Sequence, residues 1–318
     1  MNLLKPYRVL LILGNGFDLS LNLKTSYSDF MSSELFSKWV KIKHFPNAKV
    51  NLHDKNIFNY LQLQKGLRNW IDVEEELKKY ATDQRVEYYN NNGGALYTSN
   101  ASDADIKNSY TILCFALQIY IKSLDYSELN NHALSLKLLK AVLAKKRNEV
   151  VTFNYTDINR LESKIRANVE YMHGNTKDGI ILGFQRFDKM AAGYEYMIKS
   201  ENLLYKSRHL DRKMLNADEV IIYGHSLGET DHTYFKPYFD VQTSDKARDR
   251  RLTIITLNRD SRDSIVRQMV ALSNEKYQTF LDNTDVNFVE TSNNDGSFER
   301  YVLELKKRMK RIRLNIVH

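Results

Sequence analysis

The residues whose types and spacing could do chemistry fall in five short clusters of this 318-residue chain. They are Gly14-Asn15-Gly16, Asn154-Tyr155-Thr156-Asp157, His173-Gly174-Asn175, Gly224-His225-Ser226-Leu227-Gly228 and Asn258-Arg259-Asp260. In VLLILGNGF, Val9 to Phe17, two glycines leave backbone N–H groups bare just ahead of a helix starting near Phe17 or Asp18, where a phosphate could sit. Leu19 stands where the dinucleotide fingerprint wants a third small residue, so a ligand-free strand-to-helix turn is an equal reading of this stretch. His173 supplies an imidazole, which can take a proton from a hydroxyl or a water. The Asn154 amide can both donate and accept, or it can close an Asx turn.

GHSLG, Gly224 to Gly228, also matches the nucleophile elbow of α/β-hydrolases, with Ser226 as nucleophile of a serine esterase. That chemistry needs a histidine further on, and only His232 and His318 follow. One is six residues away and the other is the last residue, so the serine lacks a credible base. The other reading of Ser226 is the N-cap of a helix beginning near Leu227. Asp231 with His225 and His232 makes a poor metal set, and no metal is expected.

The elements that must position these clusters are legible from periodicity. Five apolar residues, Val9 to Leu13, read as a strand buried on both faces. Glu149–Phe153, Val169–Met172, Gly179–Leu182, Glu219–Tyr223, Leu252–Leu257 and Val286–Val289 read as further short strands alternating with helices, which predicts a mainly parallel sheet. Between the first two strands the pattern is helical. Tyr27 opens a helix running through Val40, with Pro46 beyond it. Stripes follow at Trp70, Val73, Leu77 and Tyr80, then from Ile106 to Leu124 behind a Ser102/Asp105 capping box, then at Leu134, Leu138, Leu139 and Val142. Asn90 to Gly94 is a loop. The domain reading is therefore 1–30 for the first strand and glycine turn, 31–144 for a helical insertion, and 145–318 for the rest of the sheet domain with a C-terminal helix. If the strands are parallel, the five polar ends meet at one edge, where ligands of such sheets bind.

Composition agrees with a packed α/β protein: 42% hydrophobic residues, 20 Tyr and 14 Phe against 3 Pro and 12 Gly. The lone Cys114 excludes a disulfide framework and a multi-cysteine metal site. No apolar run reaches the roughly 18 residues of a membrane span, and Val9 to Leu13 follows the start too closely for a secretory signal, so a soluble cytoplasmic protein without membrane partners is expected. The net charge of +8 and pI near 9.2 are spread along the chain. The densest basic stretch, from Lys306 to Arg313, shares its segment with Phe298, Tyr301, Val302, Leu305, Met309 and Ile312 at helical spacing, and reads as a terminal helix with a solvated basic face.

In order and in relation to strands, the five clusters resemble the landmark motifs of sirtuins. LILGNGFDLSLNLKTSYSDF, TFNYT, MHGN and IIYGHSLGETDHTYF together are more closely similar to the bacteriophage abortive infection AbiH family, which sits among sirtuin-like proteins; Trp70-Ile71-Asp72-Val73-Glu74 resembles a W-x-D-x-E stretch there. The resemblance implies a sirtuin-like, Rossmann-like fold and a site for NAD. Gly14 and Gly16 would approach its pyrophosphate, with Asn15, Phe17 and Asp18 beside them. Gly224, Ser226 and Leu227 would hold the adenosine side, and Asn258 its ribose. Asn154 would order the nicotinamide ribose or a water, His173 would be the base, and Asp29, in a segment similar to the sirtuin Asp-Phe pair, would stabilise an oxocarbenium-like centre. One cysteine cannot build the four-cysteine zinc module of deacylating sirtuins, so protein deacylation is not expected. The expectation is an antiphage effector that binds or hydrolyses NAD, with a phage-derived trigger and a homo-oligomer as further partners to test. A nucleic-acid-binding or RNA-acting defence protein is the alternative from another class, and a pocket that only senses a nucleotide is a third.

Overall fold

The structure, a computed structural model, describes residues 5–40, 56–67, 72–82, 104–161, 169–205, 209–293, 295–310 and 312–313. The expectations for Pro46, Trp70, Ile71, the 90–94 loop, the Ser102 cap and His318 lie outside these residues. By compactness the chain forms two units, Met1–Leu23 with Asp125–Met172 and Ser207–His318, and Lys24–Leu124 with His173–Lys206.

The first unit is a doubly wound α/β domain. Its sheet has six strands: β1 (Val9–Leu13), β2 (Glu149–Thr152), β3 (Val169–Tyr171), β4 (Glu219–Tyr223), β5 (Arg250–Thr256) and β6 (Thr284–Glu290). All pair in parallel, in the order β3-β2-β1-β4-β5-β6. This is the Rossmann order, in which the chain winds outward from β1 and β4 in opposite directions. Period-two alternation sends Val9, Leu11 and Leu13 into one apolar cluster with the helices Leu134–Leu143 and Ser297–Arg308. Leu10 and Ile12 are buried on the opposite face. Phe235, from helix His232–Gln242, stacks on Phe153 with centroids 5.6 Å apart. With both faces covered, the strands need no polar alternation, which is why they read as continuous apolar runs.

At the amino ends of the strands sits Glu219, fully buried. Its carboxylate accepts from Tyr7 Oη (2.8 Å), Tyr301 Oη (2.8 Å), Thr253 Oγ1 (3.1 Å) and the Arg308 guanidinium (2.9 and 3.0 Å). Arg308 therefore departs from the expected solvated basic face: it reaches inward from the terminal helix as a counter-ion, while Lys306 and Lys307 are exposed. Burial and the neighbouring carboxylate push both tyrosine hydroxyls well up, keeping them neutral donors.

The second unit is mainly helical, with Ile57–Leu67, Val73–Tyr80 and Ala104–Lys122 as its longer helices. Val73, Leu77 and Tyr80 are buried, as are Ile106, Tyr110, Leu113, Leu117 and Ile121. Two expectations change here. The helix predicted from Tyr27 to Val40 is two short ones, Tyr27–Met31 and Glu34–Ser37, because Ser33 caps the second and the Ser32 and Ser33 hydroxyls bond back to the carbonyls of Ser28 and Phe30. The predicted strand Gly179–Leu182 does not join the sheet; Gly179–Ile180 pairs antiparallel with Gly174–Asn175, at a turn where Gly174 (φ 75°) and Gly179 (φ 113°) take left-handed conformations. Segment 173–206 belongs with the helices: Tyr110 Oη donates to Leu182 O (2.6 Å), and Tyr80 meets Tyr194 edge-on at 5.9 Å. No helix among the described residues is long and apolar enough to cross a membrane.

Candidate functional site

The switch point of the sheet lies between β1 and β4, and the loops leaving these two strands interlock there. The N–H groups of Gly14 and Gly16 donate to the carbonyls of Tyr223 and Gly224, each at 2.9 Å. A Cβ on Gly14 would stand 2.6 Å from Gly224 O, one on Gly16 2.7 Å from Gly224 Cα, and one on Gly224, whose φ is 62°, 2.5 Å from Gly16 Cα. Glycine is required at these positions by the contact of two backbones, independently of any ligand. The two N–H groups are spent in holding the loops together.

The helix Asn15–Ser20 follows, and its Phe17 and Asp18 side chains are buried. Asp18 Oδ2 accepts from Thr156 Oγ1 at 2.8 Å, and the Asn154 amide also faces the carboxyl. Among the described residues Asp18 Oδ1 has no hydrogen-bond partner, and it is buried. Burial pushes this carboxyl up to about 7, against the lowering effect of Thr156 and Asn154. Asn154, itself buried, donates from Nδ2 to Gly14 O at 3.0 Å, while its backbone N–H bonds Thr152 Oγ1 at 3.0 Å. No hydrogen bond among the described residues engages Asn154 Oδ1. The strand-end loops of β1, β2 and β4 thus form one polar constellation.

In the loop after β4, Leu227 is a buried leucine with φ 54°, a left-handed conformation that costs of the order of 1 kcal/mol or more. Histidines hold it there. Leu227 N donates to His225 Nδ1 at 2.9 Å, so the His225 proton sits on Nε2, 3.4 Å from Asp231 Oδ2. His232 Nε2 lies 3.1 Å from Leu227 O and 2.9 Å from Gln268 Oε1. Ser226 is exposed, and no helix starts at Leu227; the next elements are the turn Glu229–Asp231 and the helix from His232. Among the described residues neither His225 nor His232 bonds to Ser226, which leaves the esterase reading without an activated nucleophile. Asn258 is half-buried and caps helix Arg259–Leu272, its Oδ1 accepting from Ser261 N at 3.0 Å.

His173 and Asp29 belong to the helical unit. Asp29 closes a capping box with Ser26, accepting from Ser26 N at 3.2 Å while its own N–H bonds Ser26 Oγ at 3.0 Å. His173 is the residue after Met172, and it is buried. Its Nε2 is 3.3 Å from Lys199 Nζ, and Lys199, fully buried, pairs with Glu74 Oε2 at 2.8 Å. An ammonium only donates, so Nε2 is the accepting nitrogen and the ring proton sits on Nδ1.

Lys199 and Thr156 escaped the sequence reading. A lysine in a short turn carries no periodic signal; only the acidic W-x-D-x-E stretch, whose Glu74 needs a counter-ion once buried, hinted at it. Thr156 lies inside a recognised loop, but nothing in the spacing ties it to Asp18. A cavity of about 370 Å³ at the amino-terminal side of the sheet is lined by Tyr7, Asp218, Arg250, Arg251, Asp285 and Arg308. It is away from the strand ends where such sheets bind ligands.

The pattern of the bacteriophage abortive infection AbiH family matches residues 10–255. The chain belongs to that family. The AbiH match runs from β1 almost to the end of β5, taking in the glycine turn, Asn154, His173 and the GHSLG loop and leaving out Asn258, β6 and the terminal helix. No curated protein matches the chain.

Proposed function

We propose that this AbiH protein is an antiphage abortive-infection effector that binds a nucleotide at the β1/β4 switch point and hydrolyses NAD at the nicotinamide–ribose bond. The observation that carries the reading is the interlocking of the Gly14–Gly16 and Gly224–Gly228 loops at the place where doubly wound sheets take their ligands, with the Asn154 amide anchored on the same turn. The groups these loops offer fit the hydroxyl-bearing part of a nucleotide better than its pyrophosphate. Asn154 Oδ1 is an acceptor, the Ser226 hydroxyl is exposed, and the Gly14 and Gly16 N–H groups are occupied.

In this reaction the ribose C1′–N bond breaks and its electron pair leaves with neutral nicotinamide, while C1′ gains oxocarbenium character. Water oxygen then bonds C1′ and loses a proton, giving ADP-ribose, nicotinamide and H⁺. Asn154 orients the ribose hydroxyl or the water, and His173 takes the proton. Proton uptake at Nε2 displaces its bond from Lys199, which retains Glu74 as partner. That engagement favours a second reading, nucleotide binding without turnover.

The test is the NAD content of cells expressing the protein under phage challenge. NAD should fall with the unaltered chain and hold with Asn154→Ala and His173→Ala. Equal depletion by all three would remove the assignment; nucleotide binding with constant NAD would favour the second reading.

A further inference from the structure

We propose that Asp18 is a positioning residue of this site: by holding the Thr156 hydroxyl and facing the Asn154 amide, its carboxyl fixes the loop after β2 so that Asn154 keeps its NH2 on the Gly14 carbonyl and presents its oxygen to a hydrogen-bond donor. This rests on the nucleotide reading for its ligand, a ribose hydroxyl or a water, and on the structure alone for its geometry. Thr156 Oγ1 lies 2.8 Å from Asp18 Oδ2 and Asn154 Nδ2 lies 3.0 Å from Gly14 O. Asp18 and Thr156 are each 1% exposed, so neither is there for solubility. Asp18 Oδ1, buried and without a hydrogen-bond partner among the described residues, is the atom that takes up a proton. Among the described residues Tyr126 and Tyr171 interact with the carboxyl, and burial pushes both up to about 12, which keeps them neutral. A carboxyl that burial pushes up to about 7, tied to the Thr156 hydroxyl where an apolar pair would pack, fits a functional role better than a packing one.

The experiment follows the Asn154 side-chain amide signals in protein labelled with ¹⁵N-asparagine, identified by their loss in Asn154→Ser, alongside steady-state NAD hydrolysis. The amide pair should move with a midpoint at about pH 7 in the unaltered protein and lose that titration in Asp18→Asn. Thr156→Val should shift the pair and lower kcat by roughly 10²-fold with little change in KM, and Thr156→Ser, which keeps the hydroxyl, should restore both. An amide pair indifferent to pH, to Asp18→Asn and to Thr156→Val overturns the proposal. A pair that responds as expected in a protein that leaves NAD intact upholds the positioning role and removes the NAD reading instead.

Discussion

Thr156 Oγ1 donates to Asp18 Oδ2 at 2.8 Å, joining the loop that leaves β2 to the helix that follows the neighbouring strand β1. One hydrogen bond between two buried side chains thus links the glycine turn to the loop carrying Asn154, and it puts an ionisable group where none is needed for packing.

Asp18 should make stability depend on pH. Its carboxyl is raised from the usual 3.8 to about 7, so the folded state retains a proton that the unfolded chain gives up. The stabilisation is complete below about pH 4 and is lost as pH rises through 7, at most about 4 kcal/mol in all. Asp18→Asn removes the titration. Its melting temperature should gain on the unaltered protein between pH 5 and pH 8, and an equal difference at both pH values would place the carboxyl in water.

Gly16→Ala and Gly224→Ala should each destabilise the protein by about 2 kcal/mol or more, because the new methyl meets backbone at 2.7 and 2.5 Å. Urea denaturation without ligand measures this. Loss of function in these variants then reports on folding, and a neutral Gly16→Ala would contradict the close approach of the two loops.

Much of this was legible in the sequence, for a simple reason. Strands buried on both faces lose the period-two polar alternation, so the apolar runs in β1, β4 and β5 stand out, and the polar residues at their ends mark the rim. What stayed hidden depends on partners distant along the chain. Arg308 looks like its exposed neighbours Lys306 and Lys307 until Glu219, 89 residues earlier, is brought beneath it. Lys199 acquires meaning only beside Glu74, 125 residues away. Gly14 and Gly16 look like a phosphate turn because sequence shows missing side chains, not which backbone fills the space.

Glu219 and Arg308 provide a control at the amino ends of the strands. Arg308→Met leaves a buried carboxylate short of its cation and should cost about 3 kcal/mol in chemical denaturation. Turnover per folded molecule should be unchanged, since the loops proposed to take the nucleotide are at the carboxyl ends; a selective loss of activity would speak against that separation.

In the helical unit, Lys199→Met should destabilise by about 3 kcal/mol through the buried Glu74 carboxylate, and adding Glu74→Gln should recover part of the loss. A double-mutant cycle by thermal denaturation should give a coupling of about 1 kcal/mol or more, whereas strict additivity would mean the pair is not formed.

The central claim is that the strand-end loops of β1, β2 and β4 serve the breaking of a nicotinamide–ribose bond. Nicotinamide release from NAD by the purified protein measures it directly. Release with equimolar ADP-ribose is expected, reduced roughly 10²-fold per folded molecule in Asn154→Ala. No release from the unaltered protein, or equal release from the variant, would contradict it.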